Sequence, residues 1–420
     1  MEAQQGTDKL RKLLLIIGLI GLHIGCVELQ AAELNARLKA FATLNDLPDT
    51  DVLLLDSDNP QLQTNLDLRM LFRHDIGGWE FVVDHSTTIL NGAGLDSLRS
   101  STLDQVPTED NISALDLSWT LDDGERHQFF HRFDRLAVRY RADSWGVTLG
   151  REAVTWGSGK VFNPMDLFAP FAPTTIDRDY KAGVDLIVVD KLFSTGSDVQ
   201  VLGVFRRDKT GEYDSEEGSY AAKWRTFLGA TELELALGRH YRDSVVAVSF
   251  RLPVGGALAQ ADWVATQLDL EDEWRISAVA NIDYSFSLNQ KTAYIFAEYY
   301  RNGFGEDETP QSPEGLSVPL GARLARGEVF GITKNYLAMG GSFQWHALLT
   351  QSATVLWNLH DNSTLWQTSI AYEPGDNQRI EAGITASVGN RGDEYGAIEI
   401  GEGITTGGGE RLFARWVYYW

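Results

Sequence analysis

Few residues in this chain have the types and spacing that covalent chemistry needs. Gly157-Ser158-Gly159-Lys160 resembles a phosphate loop only superficially. Val154 stands where that motif needs its first glycine, and Val161 replaces the required Ser or Thr. No strand–loop–helix context surrounds it. His127 and His131 are four apart, which on a strand puts both on one face, but no Ser or carboxylate partner accompanies them. Neither a G-x-S-x-G elbow nor an H-E-x-x-H helix occurs. Asp56-Ser57-Asp58-Asn59 lacks the rest of a calcium loop. The single cysteine, Cys26, excludes a thiolate zinc site. The expectation is no catalytic residue, no metal and no cofactor.

What remains is charge at a period of two. Arg135, Arg139 and Arg141 alternate with Leu136, Val138 and Tyr140. Lys223 and Arg225 alternate with Ala222 and Trp224, and Glu232 and Glu234 precede Leu235 and Leu237. On strands, each alternation puts the charges on one face and the apolar set on the other. If the apolar face meets oil, the charges meet water. Basic and acidic strands side by side would then set up a transverse field that orients dipolar solutes. The competing reading is a set of wall ion pairs that only hold shape.

The segment from Glu152 to Gly183 is the most distinctive stretch. Pro164, Phe168, Pro170, Phe171 and Pro173 stiffen it, and it carries Asp166, Asp177, Arg178, Asp179 and Lys181. A stiff, compact loop of this length is expected to fold inward and narrow a pore. An outer cap or an oligomer contact is the alternative.

The elements that would position these residues are strands. From Asn65 onward the hydrophobic period is repeatedly two, as in Leu66, Leu68, Met70 and Phe72 or Leu115, Leu117, Trp119 and Leu121. The pattern returns in Ile276 to Phe286, Ala293 to Tyr299, Leu337 to Trp345 and Trp366 to Tyr372. Short turns such as Asp143-Ser144 and Asn289-Gln290 alternate with longer acidic links such as Asn302 to Thr333. This predicts an all-β fold, a transmembrane antiparallel β-barrel of about 16 to 18 strands. The barrel is assigned to residues 64–420, with 33–63 as a periplasmic lead-in containing a short helix. One link, His85 to Glu109, is long but falls among the short turns in this scheme.

Lys9, Arg11 and Lys12 precede the apolar stretch Leu13 to Val27 and the small residues Ala31-Ala32, which predicts a secretory signal peptide over 1–32. Lipidation of Cys26 is a competing use of that segment, weakened by His23 where an aliphatic residue is wanted. The net charge of −23 and pI near 4.7 disfavour nucleic acid, because phosphate contacts need clustered Lys and Arg. Mean hydropathy of −0.20 argues against a helical membrane bundle. The 19 Phe, 14 Tyr and 12 Trp suit interfacial girdles, with Trp79, Trp145, Tyr299, Trp345 and Tyr372 near strand ends.

A soluble sandwich also alternates, but it could not bury the Asp, Glu, Arg and Lys of the second face. The last residues decide further. Leu412, Ala414, Trp416, Tyr418 and Trp420 share one face, and the chain stops on an aromatic. This terminus resembles the signal read by the outer-membrane assembly machinery, which usually ends in Phe. The segments GREAVTWGSGKVFNPMDLFAPFAP, EYYRNGFG and WNLHDNSTL resemble recurring segments of Gram-negative outer-membrane barrels of porin type. The resemblance spans most of the chain after residue 32, and only the terminal signature is specific. It implies architecture and an outer-membrane location, and it names no substrate. The functional expectation is a channel for passive diffusion of small hydrophilic solutes, without enzyme activity. The rivals are a transport-system partner passing apolar or polymeric cargo, and an outer-membrane enzyme. Expected partners are outer-membrane lipid, lipopolysaccharide, the assembly machinery, small solutes and a homo-oligomeric copy. The acidic clusters Glu216-Glu217, Glu271-Asp272-Glu273 and Glu306-Asp307-Glu308 would either bind cations that bridge lipopolysaccharide phosphates or stay solvated.

Overall fold

The computed structural model describes residues 32–54, 59–92, 110, 112–173, 180–312 and 315–420. Numbered along the chain, the first strands are β1 (Ala32–Asp46), β2 (Gln61–Ile76), β3 (Trp79–Gly92), β4 (Ser118–Gly124), β5 (His127–Arg141), β6 (Trp145–Glu152) and β7 (Val184–Leu192). There follow β8 (Asp198–Val204), β9 (Ser219–Leu228), β10 (Thr231–His240), β11 (Asp243–Val254), β12 (Ala257–Gln267), β13 (Trp274–Leu288) and β14 (Lys291–Arg301). The last are β15 (Asn335–His346), β16 (Leu349–Asn358), β17 (Thr364–Gly375), β18 (Gln378–Val388), β19 (Ile398–Gly401), β20 (Ile404–Thr406) and β21 (Glu410–Tyr419). One short helix, α1 (Val318–Ala325), lies in the link before β15. Among the described residues no helix is long and apolar enough to cross a membrane.

Eighteen of these strands close into one antiparallel barrel, as the alternation predicts. β4 and the β19–β20 hairpin are additions to that wall. Closure comes where β1 pairs β2 from Ala32↔His74 to Asn45↔Gln61 and β21 from Arg37↔Tyr419 to Asp46↔Glu410. A closed wall satisfies every ladder N–H and C=O internally, which an oily surrounding demands. The side chains sort as the period of two requires. On β12, Gln260, Asp262, Val264 and Thr266 are buried toward the inside while Trp263 is exposed outside. Across the wall the outer set stays bare, with Leu34 and Leu237 each 65% exposed. In water such a surface costs about 25 cal/mol per Å²; against hydrocarbon it costs nothing. Trp79, Trp145, Trp345 and Tyr372 ring one end of this band, and Tyr299, Trp263, Trp274 and Trp366 ring the other.

Two expectations need correction, and they cancel each other. The segment 33–63 is more than a lead-in: its helical part is a single 3-10 turn, Val52–Leu54, and β1 is a full wall strand. Its sequence, AELNARLKAFATLND, is rich in Ala, Leu, Glu, Arg and Lys, which favour helices locally. Pairing on both edges overrides that preference. Conversely, the strand around Leu115 to Leu121 is not a wall member. The chain leaves the wall after Glu152, and β4 takes the edge of β5 that β6 leaves, from Ser118↔Arg132 to Gly124↔His127. An exposed edge there would leave ladder groups unpaired. One strand missed and one overcounted preserve the later parity, so only the two connections on either side of β3 were misplaced. The strand ends flanking the link after β3 lie at one end of the barrel, together with those flanking 47–60, 153–183, 205–218, 302–334 and 389–409. All the connections at the opposite end are short, from 77–78 to 376–377.

Candidate functional site: the lumen and its crossing loop

Of the chain between β6 and β7, the described residues 153–173 and 180–183 pack against the inner face of the wall. The outgoing limb is fastened to strands ever further round the wall. Trp156 Nε1 donates to Gln200 Oε1 on β8 at 2.7 Å. Ser158 donates its N–H (2.7 Å) and its hydroxyl (2.6 Å) to the Asp262 carboxylate on β12. The N–H groups of Lys160, Val161 and Phe162 then converge on the Glu298 carboxylate of β14 at 2.6, 3.1 and 2.8 Å. Lys160 Nζ reaches Asp283 of β13 at 2.6 Å. β14 lies eight strands from β6 around the closed wall, so the loop crosses nearly the whole lumen.

Apolar contacts hold the same limb. Trp156, Met165 and Phe168 pack into the inner faces of β7, β8 and β10 to β12, and Met165 is 1% exposed. Phe162 stacks on Tyr300 with ring centres 4.6 Å apart and planes 9° apart. The GSGK stretch now has a structural explanation. A Cβ on Gly159 would stand 1.8 Å from the Phe162 carbonyl oxygen, so only glycine permits this tight turn. The glycines close a turn onto a carboxylate, the opposite of a phosphate cradle.

The predicted loop residues divide. Asp166 and Lys181 meet: Lys181 Nζ lies 2.5 Å from Asp166 Oδ1 and also donates to the Val154 carbonyl. Burial lifts the Asp166 carboxyl to about 6, with the Lys181 charge opposing. Asp177, Arg178 and Asp179 lie outside the described residues.

All seven predicted wall charges face the interior, and each has a partner. Arg135 pairs with Glu152 at 2.9 Å. Arg139 bridges Glu80 and Glu152, and Arg141 reaches Glu80 at 2.8 Å. Lys223 lies 3.3 Å from Glu234, Arg225 2.6 Å from Asp198, and Glu232 2.5 Å from Arg251. A bulge opposite Asp84 and His85 switches the parity of β5, so both Asp134 and Arg135 point inward.

Further inner charges were not among the predicted set. Arg37 and Lys39 sit on β1, whose strand character was hidden. Arg69, Arg73, Arg411 and Arg415 alternate with apolar residues like those chosen, and the same rule finds them. Together with Arg132, Arg135, Arg139 and Arg141 they make one side of the lumen cation-rich. Opposite it, Glu232, Glu234, Asp262, Asp283 and Glu298 on β10 and β12 to β14 make an acidic side. Opposed charge across a narrow, partly desolvated passage produces a field perpendicular to the axis.

No family model and no curated protein matches this chain. Solved structures do. OpdK of Pseudomonas aeruginosa, crystallised with vanillate, aligns over 93% of this chain and 98% of its own at 13% identity and a TM-score of 0.50. OccAB4 of Acinetobacter baumannii aligns over 94% and 99% at 10% identity and 0.54. The chain has the fold of an outer-membrane porin. Wzi of Escherichia coli, described as a carbohydrate-binding barrel involved in group 1 capsule assembly, also aligns, over 91% and 83% at 8% identity and 0.53. At identities of 13% and below, these likenesses are likenesses of fold.

Proposed function

We propose that this porin-like barrel is an outer-membrane channel for passive diffusion of small hydrophilic solutes, with residues 153–183 as its constriction. The observation that carries the reading is the loop pinned across a closed wall between a cation-rich and an acid-rich side. Such a passage sorts solutes by size and by charge distribution, and it needs no covalent step. In this reading the long links face outward and both strand ends of the closure face the periplasm. Residues 1–32 direct export, and the aromatic face of Trp416, Tyr418 and Trp420 serves recognition by the assembly machinery. Removing Trp420 is expected to lower the yield of heat-modifiable barrel in outer-membrane fractions.

Planar-bilayer recording tests the function. Stepwise ohmic currents are expected from the purified barrel. A folded barrel that stays silent would favour the alternative, a partner that passes or holds a polymer, for which the likeness to Wzi gives a structural hint. The wall charges provide a second test. Replacing Arg135, Arg139 and Arg141 together by Gln leaves Glu80 and Glu152 uncompensated at the lumen surface. The reversal potential in a salt gradient is then expected to move toward cation selectivity. An unchanged reversal potential would remove these arginines from the conducting path.

A further inference from the structure

The return limb of the crossing loop carries one ring whose position the wall ion pairs do not require. Tyr180 faces the inner surfaces of β1 and β2. The guanidinium carbon of Arg37 lies 4.6 Å from the centre of its ring, and that of Arg69 lies 3.9 Å from it. Edge-on, both arginines are ion-paired: Arg37 Nη2 with Asp67 at 2.5 Å, Arg69 Nη2 with Asp134 at 2.5 Å. Arg69 is nonetheless not satisfied. It is only 4% exposed, and among the described residues its Nε and Nη1 meet no acceptor. Idle donors on a buried guanidinium are costly, and they suit an acceptor-bearing anion. The tyrosine ring offers its negative face to the two cations without offering an acceptor to those donors.

The ring is held in place from both directions. Its neighbour Lys181 is clamped to Asp166 within the loop, and Arg135 Nη2 on β5 donates to the Lys181 carbonyl at 2.6 Å. The loop and the wall therefore fix Tyr180 over the two guanidinium groups.

We propose that Tyr180 is a specificity-determining residue of the lumen: its ring caps the Arg37–Arg69 shelf and withholds it from permeating anions. The proposal rests on the channel reading above. With the ring gone, two guanidinium faces and the idle Arg69 donors open to the passage, and the cation-rich side attracts anions more strongly.

Bilayer recordings in a salt gradient separate the outcomes, with heat-modifiable migration confirming that each variant is folded. Tyr180→Ala is expected to shift the reversal potential toward the chloride equilibrium potential. Tyr180→Phe keeps the ring and is expected to match the wild type. Adding Arg69→Gln to Tyr180→Ala is expected to reverse much of the shift. A conducting wild type whose reversal potential Tyr180→Ala leaves unchanged overturns the role of Tyr180 alone. That role is equally overturned if Tyr180→Phe behaves like Tyr180→Ala, because the hydroxyl and not the ring would then matter. A wild-type barrel that passes no current overturns the channel reading, and this role with it.

Discussion

Replacing Glu298 by Ala is expected to release the crossing loop and raise the unit conductance. Glu298 is 1% exposed and accepts three consecutive backbone N–H groups at the far tip of the loop. Hydrogen bonds to a charged group contribute about 1.5–3 kcal/mol each, and their loss leaves buried donors unpaired. Part of that cost is recovered when the freed tip is wetted, so a net loss of about 2–4 kcal/mol is reasonable. This moves the balance between docked and undocked loop by roughly 30- to 700-fold. Phe162 on Tyr300 and the Asp262–Ser158 pair oppose release. Adding Asp262→Ala should therefore enlarge the effect. Glu298→Gln keeps the volume and one acceptor, but turns an N–H₂ toward the loop's own donors, so an intermediate conductance is expected. Single-channel recordings and protease sensitivity near residue 160 report the change. If Glu298→Ala conducted like the wild type and resisted protease equally, the carboxylate would not be what holds the loop.

The anchors of that loop were the least legible part of the sequence, and the reason is physical. A period of two tells which face of a strand a carboxylate occupies. It cannot tell whether the partner is water, an arginine on the next strand or the backbone of a loop. Glu298 and Asp262 look like ordinary lumen charges until the N–H groups of residues 158–162 are seen converging on them from more than a hundred residues away. Tyr180 is similar, because nothing local to it foretells two arginines on strands at the start of the chain. The wall itself was legible, since alternation and the aromatic ends are local consequences of facing oil on one side. The inward course of residues 153–173 was also foreshadowed, because Phe168 and the prolines make a loop too apolar and stiff to lie in water. β1 was lost where local composition and pairing disagreed.

A second large effect concerns pH and the rim of long links. The carboxyl of Glu394, in the link between β18 and β21, is buried among groups from three segments. It accepts the Tyr336 hydroxyl of β15 at 2.6 Å, the Asn358 amide of β16 at 2.9 Å and the Ile332 N–H at 3.1 Å. The charged and titratable groups facing it are Tyr336, Tyr395 and Asp361, which itself accepts the Glu394 N–H at 2.7 Å. Burial pushes the Glu394 carboxyl up to about 7, with the Tyr336 hydrogen bond opposing and Asp361 adding to the rise. The docked link thus binds a proton that the undocked link, with an ordinary value of 4.5, has already released. Docking strength from this group is complete below about pH 4.5 and declines as pH rises through about 7, by roughly 3 kcal/mol in all. Docking joins the 389–409 link to β15 and β16, next to the Tyr336 ring against which Phe162 of the crossing loop packs. Channels are therefore expected to be quieter at pH 5.5 and to show more frequent level changes at pH 8. Glu394→Gln fixes the neutral form and is expected to flatten that dependence. An identical pH response in the Gln variant would assign it to another group.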